Sequence, residues 1–164
     1  VAGKYSPESL LPALRLFARA RNEAVAAGFT DNGGAIHSVE RILDILGARL
    51  CYPHLHHINS IKRDPNAERS EAAELARRAG ETVDIEHVMP QRAFARAVIA
   101  EIDRGATDDE IVAYVRGSYR LVLLTPAETK HVNKINRSKL TPDRIKEARI
   151  TLFGSPPPGG STRQ

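Results

Sequence analysis

Leu10, Leu11, Leu14, Phe17 and Ala18 recur at the spacing of one helix face. Ser6-Pro7-Glu8 ahead of them predicts the helix start, with Ser6 as N-cap and proline at the first helical position. Gly28 predicts its end, and Asp31 to Gly34 reads as a turn. A second helix is expected from about Ile36, with Ile36, Val39, Ile42, Leu43, Leu46 and Leu50 on its apolar face. Pro53 and the histidines at 54, 56 and 57 interrupt any period from Cys51 to Ile61. Asp64-Pro65 predicts the start of a third, highly charged surface helix that Gly80 ends.

The pattern then changes. Thr82 to Val88 reads as a short strand, and Pro90 stops it. Gln91 to Asp103 returns to helical spacing, with Phe94, Val98, Ile99 and Ile102 on one stripe. Thr107-Asp-Asp-Glu110 is a helix start, because acids follow a threonine cap at the positive end of the helix dipole. That helix is expected to end near Gly117, and Tyr119 to Leu124 forms the second strand. Thr125-Pro126-Ala127-Glu128 has the capping-box form, so a helix follows at once. Thr141-Pro142 opens the last helix and Gly154 closes it. Residues 155–164 are rich in Pro and Gly and read as a disordered tail or linker.

The expected fold is mainly α with a small β-hairpin. Residues 1–80 form an N-terminal helical scaffold, and residues 81–154 hold the two strands and the helix behind them, with a helical insertion at 91–117.

A length of 164 residues suits one domain with a modest core. Aromatic residues are only 5% and Trp is absent, so Leu, Ile, Val and Ala must build that core. The net charge of +4 favours a polyanionic partner. A single cysteine, Cys51, excludes a disulfide-stapled scaffold. No apolar run reaches membrane-spanning length and no signal peptide is visible, so no membrane partner is expected and the site of action is cytoplasmic. The chain opens on Val1 and its sole methionine is Met89, so a domain of a longer parent protein, or a processed product, is expected.

Candidate chemistry concentrates in two segments. Val83-Asp84-Ile85-Glu86-His87-Val88-Met89-Pro90 places a carboxylate directly before a histidine. Glu86 can hold a hard metal ion, and His87 can take a proton from water at neutral pH. The segment from Ser118 to Asn136 reads as a strand running into a basic helix that carries His131, Asn133 and Asn136. Arg92, Arg96, Arg120, Lys130, Lys134, Arg137 and Lys139 cluster around these segments and suit phosphate contacts without base readout. Asp84 reads as a solvated strand acid, and Glu128 as the capping-box partner of Thr125. Cys51, His54, His56 and His57 carry zinc-type donors, but their spacing matches no standard finger. A surface loop, or histidines lining the cleft of a nuclease, is the expectation there.

Asp84-Ile-Glu-His-Val-Met-Pro-Gln91, followed by Leu121-Val-Leu-Leu-Thr-Pro126 and its basic helix, resembles the HNH, or His-metal finger, endonucleases. The resemblance covers roughly Val83 to Lys139 and is greatest to the C-terminal HNH domains of modification-dependent restriction enzymes. It implies a ββα-metal finger core embedded in the helical scaffold. It implies a metal-dependent endonuclease that nicks or cleaves DNA, leaving 5′-phosphate and 3′-hydroxyl ends. His87 would be the general base. Glu86 and Asn133, with His131 as alternate, would hold a divalent ion, Mg²⁺ or Mn²⁺ ahead of Zn²⁺ or Ni²⁺. Lys130, Lys134, Arg92, Arg137 and Lys139 would hold the nucleic acid, with RNA as the other possible substrate. The family asparagine at the start of the second strand is replaced here, with Ser118 or Arg120 near its slot. Arg120 can brace the loop or clamp a phosphate, but it cannot accept a hydrogen bond. Two other classes fit the same residues. One is a non-catalytic nucleic-acid-binding module; the other is a nuclease toxin, secreted by a specialised system and neutralised by an immunity protein.

Overall fold

The computed structural model describes residues 5–154, and the tail expected at 155–164 lies outside them. The elements run α1 (Pro7–Ala26), α2 (Ala35–Cys51), a 3₁₀ helix (Ile58–Arg63), α3 (Glu71–Arg78), β1 (Asp84–His87), α4 (Gln91–Asp103), α5 (Asp108–Ser118), β2 (Leu121–Leu124), α6 (Pro126–Ile135) and α7 (Arg144–Glu147). The protein is mainly helical, with one two-stranded antiparallel sheet among the described residues. No helix among them is long and apolar enough to cross a membrane.

Hydrophobic periodicity places the main core. Leu10, Leu11, Leu14 and Ala18 of α1 pack with Ile36, Val39, Ile42, Leu43 and Leu46 of α2. Phe94, Val98 and Ile99 of α4 and Ile111 and Val115 of α5 complete the cluster. Ala73, Ala76 and Val83 belong to it too, so the packing continues without a break across residue 80. The capping box expected at Thr125–Glu128 forms, and the helix start expected at Thr107 closes as one too, with Glu110. Each satisfies otherwise orphaned N–H groups at a helix start.

The sheet separates this core from a second, smaller one. β1 and β2 pair antiparallel, with Glu86 opposite Val122 and His87 opposite Leu121. All four residues of β2 are buried, because both faces of the sheet are covered. Leu121 and Leu123 enter the main core, whereas Val122 and Leu124 join Val88, Val132, Ile145 and Ala148. Strand alternation therefore splits β1 as well. His87 shares the main-core face with Ile85, and Glu86 shares the opposite face with Val88.

Four local expectations need correction. Ser6 precedes α1 but makes no side-chain cap hydrogen bond. Phe17 lies off the buried stripe of α1 and is exposed. The third helix begins at Glu71 with Ser70 as its cap, not at Asp64-Pro65. Residues before it are drawn out beside β2: Leu123 N–H donates to the Glu68 carbonyl and Ser70 N–H to the Leu123 carbonyl. Asp64 instead closes the 3₁₀ helix, and its carboxylate accepts from Asn66 N–H. The last helix is the single turn α7, capped by Asp143.

Two stability predictions follow from this packing. A Cβ on Gly47 would come within 2.3 Å of the Tyr119 ring, which is buried, so one of the two must shift. Gly47→Ala is expected to lower stability by about 1–3 kcal/mol, read from urea denaturation. Asp31 is clamped by Arg21 at 2.5 Å and Arg96 at 3.0 Å. The hydrogen bond from Arg21, helped by Arg96 and opposed by burial, pulls its pKa from 3.8 to about 2. A carboxyl depressed on folding stabilises above its unfolded pKa, and the gain is lost as pH falls through the folded one. Asp31→Asn should therefore flatten the loss of melting temperature between about pH 4 and about pH 2.

Candidate functional site

His87 leaves the end of β1 toward α2. Its Nε2 lies 2.9 Å from Asp44 Oδ1, and Tyr119 donates its hydroxyl to the same oxygen at 2.6 Å. The two rings meet edge-on with centroids 5.6 Å apart. Burial pushes the Asp44 carboxyl up, but the His87 and Tyr119 hydrogen bonds outweigh it and hold the pKa below its ordinary value. Burial and the neighbouring Asp44 push the Tyr119 phenol far up, so it remains a donor. An ionised Asp44 accepts only, which places the His87 proton on Nε2. Nδ1 then carries the lone pair, and it has no hydrogen-bond partner among the described residues. A carboxylate that fixes the tautomer and orientation of an imidazole is an arrangement that suits a general base.

Asp44 also lines a cleft of about 490 Å³ between α2 and the 3₁₀ helix. Arg41, Arg49, Tyr52, His56 and His57 share its wall. Arg41 lies 3.7 Å from Asp44 Oδ2, and Tyr52 accepts from Leu121 N–H at 2.8 Å. His56 and His57 thus border this cleft. Cys51 and His54 do not join them. The Cys51 thiol points to the Arg116 carbonyl, and His54 Nε2 pairs with Asp64 at 2.7 Å. Among the described residues, no group of three or more His, Cys, Asp or Glu could hold a metal.

Glu86 lies on the other face of the sheet. It and Asn133 do converge, but on the guanidinium of Arg144. Arg144 donates to Glu86 Oε2 at 2.5 Å, Asn133 Oδ1 at 3.1 Å and the His87 carbonyl at 2.7 Å. Burial raises the Glu86 pKa, with Arg144 pulling the other way, and burial lowers that of Arg144. The divalent ion implied by the family resemblance does not fit between Glu86 and Asn133, because a cation of the chain itself stands there. His131 contributes nothing to this pair; its Nε2 contacts the Ala148 carbonyl at 3.2 Å.

The basic residues divide into two groups. The Arg120 side chain is held by Glu68 and, at 3.1 Å, by Asp143, and its backbone carbonyl accepts from Val88 N–H at 3.0 Å. Arg92 is paired with Glu40. Lys130, Lys134, Arg137 and Lys139 are exposed, and their side chains make no ion pair among the described residues.

Asp44, Tyr119 and Arg144 are the residues that sequence patterns did not single out. Asp44 carried one signal, an acid flanked by Leu43 and Ile45 in an amphipathic helix. Nothing in the sequence links it to a histidine 43 residues away. No protein-family model, curated protein or solved structure matches this chain.

Proposed function

We propose that this chain is an endonuclease that nicks or cleaves DNA by hydrolysing phosphodiester bonds. In it, β1, β2 and α6 form the ββα finger, His87 is the general base and Asp44 orients it. The observation that carries this is the 2.9 Å Asp44–His87 hydrogen bond, which leaves Nδ1 without a partner among the described residues, while Asp44 itself lines a cleft shared by Arg41 and Arg49. A water gives its proton to Nδ1 and its oxygen attacks phosphorus. The bond to the 3′ oxygen breaks, and that oxygen takes a proton, leaving 5′-phosphate and 3′-hydroxyl ends. Arg41 and Arg49 balance the charge that grows on the phosphate. No step passes through an ion between Glu86 and Asn133.

Wild-type protein should convert supercoiled plasmid to open circles. Persistent supercoils, with a matched RNA also intact, would remove this function. Phosphate contact in the cleft has its own measurement. Arg41→Ala with Arg49→Ala should reduce the slope of log binding constant against log salt by about one per arginine. An unchanged slope, with loss on Lys130→Ala and Lys134→Ala, would move the strand to α6.

The closed Glu86–Arg144–Asn133 network favours a second reading, a nucleic-acid-binding module without turnover. Gel-shift binding by wild-type protein that never nicks its target would select it.

A further inference from the structure

We propose that Arg144 is the resident cation of an all-oxygen cage, and that removing its guanidinium turns the cage into a site for a hard divalent ion. Four oxygens surround that group: Glu86 Oε2 at 2.5 Å, the His87 carbonyl at 2.7 Å, Asn133 Oδ1 at 3.1 Å and the Asn136 carbonyl at 3.4 Å. One carboxylate, one amide oxygen and two backbone carbonyls are the donor types that Mg²⁺, Mn²⁺ and Ca²⁺ take from proteins.

The cage is built from rigid parts. Glu86 and His87 end β1, Asn133 and Asn136 lie on and just after α6, and the Arg144 backbone N–H is tied to the Val88 carbonyl at 3.0 Å. The Arg144 side chain is only 5% exposed, so solvent does not compete for these oxygens. Charge explains why the occupant is a guanidinium. The cage holds a single formal negative charge, on Glu86, which one monovalent cation balances. Thr129 supplies a further donor. It stands one turn before Asn133 on α6, and its hydroxyl is buried without a hydrogen-bond partner. Arg144 leaves it unused.

This inference does not depend on cleavage, because it is read as ion binding alone. Mn²⁺ uptake followed by electron paramagnetic resonance on wild type, Arg144→Ala and Arg144→Ala/Glu86→Gln is the test. Wild type is expected to take up no Mn²⁺ that Glu86→Gln removes. Arg144→Ala is expected to bind one Mn²⁺ at least about tenfold more tightly than wild type, and the second substitution should abolish that site. Arg144→Gln replaces Arg144→Ala if the latter does not fold. Glu86-dependent Mn²⁺ binding by wild type would overturn the proposal. So would a folded Arg144 variant that binds none.

Discussion

Replacing His87 with alanine is expected to slow phosphodiester cleavage by about two to four orders of magnitude, the usual contribution of a positioned general base. The fold should survive. His87 is at a strand end, and its backbone carbonyl, which Arg144 uses, is unaffected by the substitution. Asp44 would keep the Tyr119 hydroxyl as a donor, so no buried carboxylate is orphaned. The stability cost is therefore that of one hydrogen bond and some packing, about 1 kcal/mol. Cleavage and melting temperature measured on the same preparation separate the two effects. A variant that cuts at the wild-type rate would remove His87 from the chemistry. A variant that no longer melts cooperatively would make its role structural.

Arg144→Ala is expected to have the largest effect on stability, a loss of about 3–5 kcal/mol. The substitution removes the partner of a buried carboxylate and strands the Asn133 amide oxygen and two carbonyls. Uncompensated buried charge dominates this cost, because the lost hydrogen bonds alone would account for less. A pH dependence follows. Burial already pushes the Glu86 carboxyl up, and Arg144 is the largest influence opposing it. Without Arg144 the neutral acid is favoured further. A raised carboxyl contributes stability at low pH that is lost as pH rises through the folded pKa. The deficit of the variant should therefore be smaller near pH 5 than near pH 8 in urea denaturation. A deficit independent of pH would show that lost packing, not charge, is the cause.

Local signals were legible in the sequence where local physics decides the outcome. Gln91–Asp103 forms the helix its stripe predicts, and both capping boxes close. Ile36, Val39, Ile42, Leu43 and Leu46 all face the core as their spacing requires. The two misplaced helix boundaries share one cause, partners distant in sequence. Asp64-Pro65 has the chemistry of a helix start, but the segment after it is extended because Glu68 and Ser70 pair with Leu123. Thr141-Pro142 likewise precedes only one helical turn, since Arg144 is tied to β1.

The adjacency of Glu86 and His87 suggested one shared site. Strand alternation sends them to opposite faces, where Asp44 and Arg144 meet them from α2 and α7. Neither partner belongs to the motif, and neither has a periodicity that could point to it. The basic helix after Thr125 is where it was expected, but its lysines remain exposed and unengaged among the described residues.

The most direct test is the nicking rate of one supercoiled plasmid by wild type, Asp44→Asn and His87→Ala in the same Mg²⁺ buffer. Wild type should open the plasmid, and Asp44→Asn should do so about 10–100-fold more slowly, because the imidazole loses its orienting carboxylate. His87→Ala should leave it supercoiled. Equal rates for the three proteins would contradict a catalytic Asp44–His87 pair.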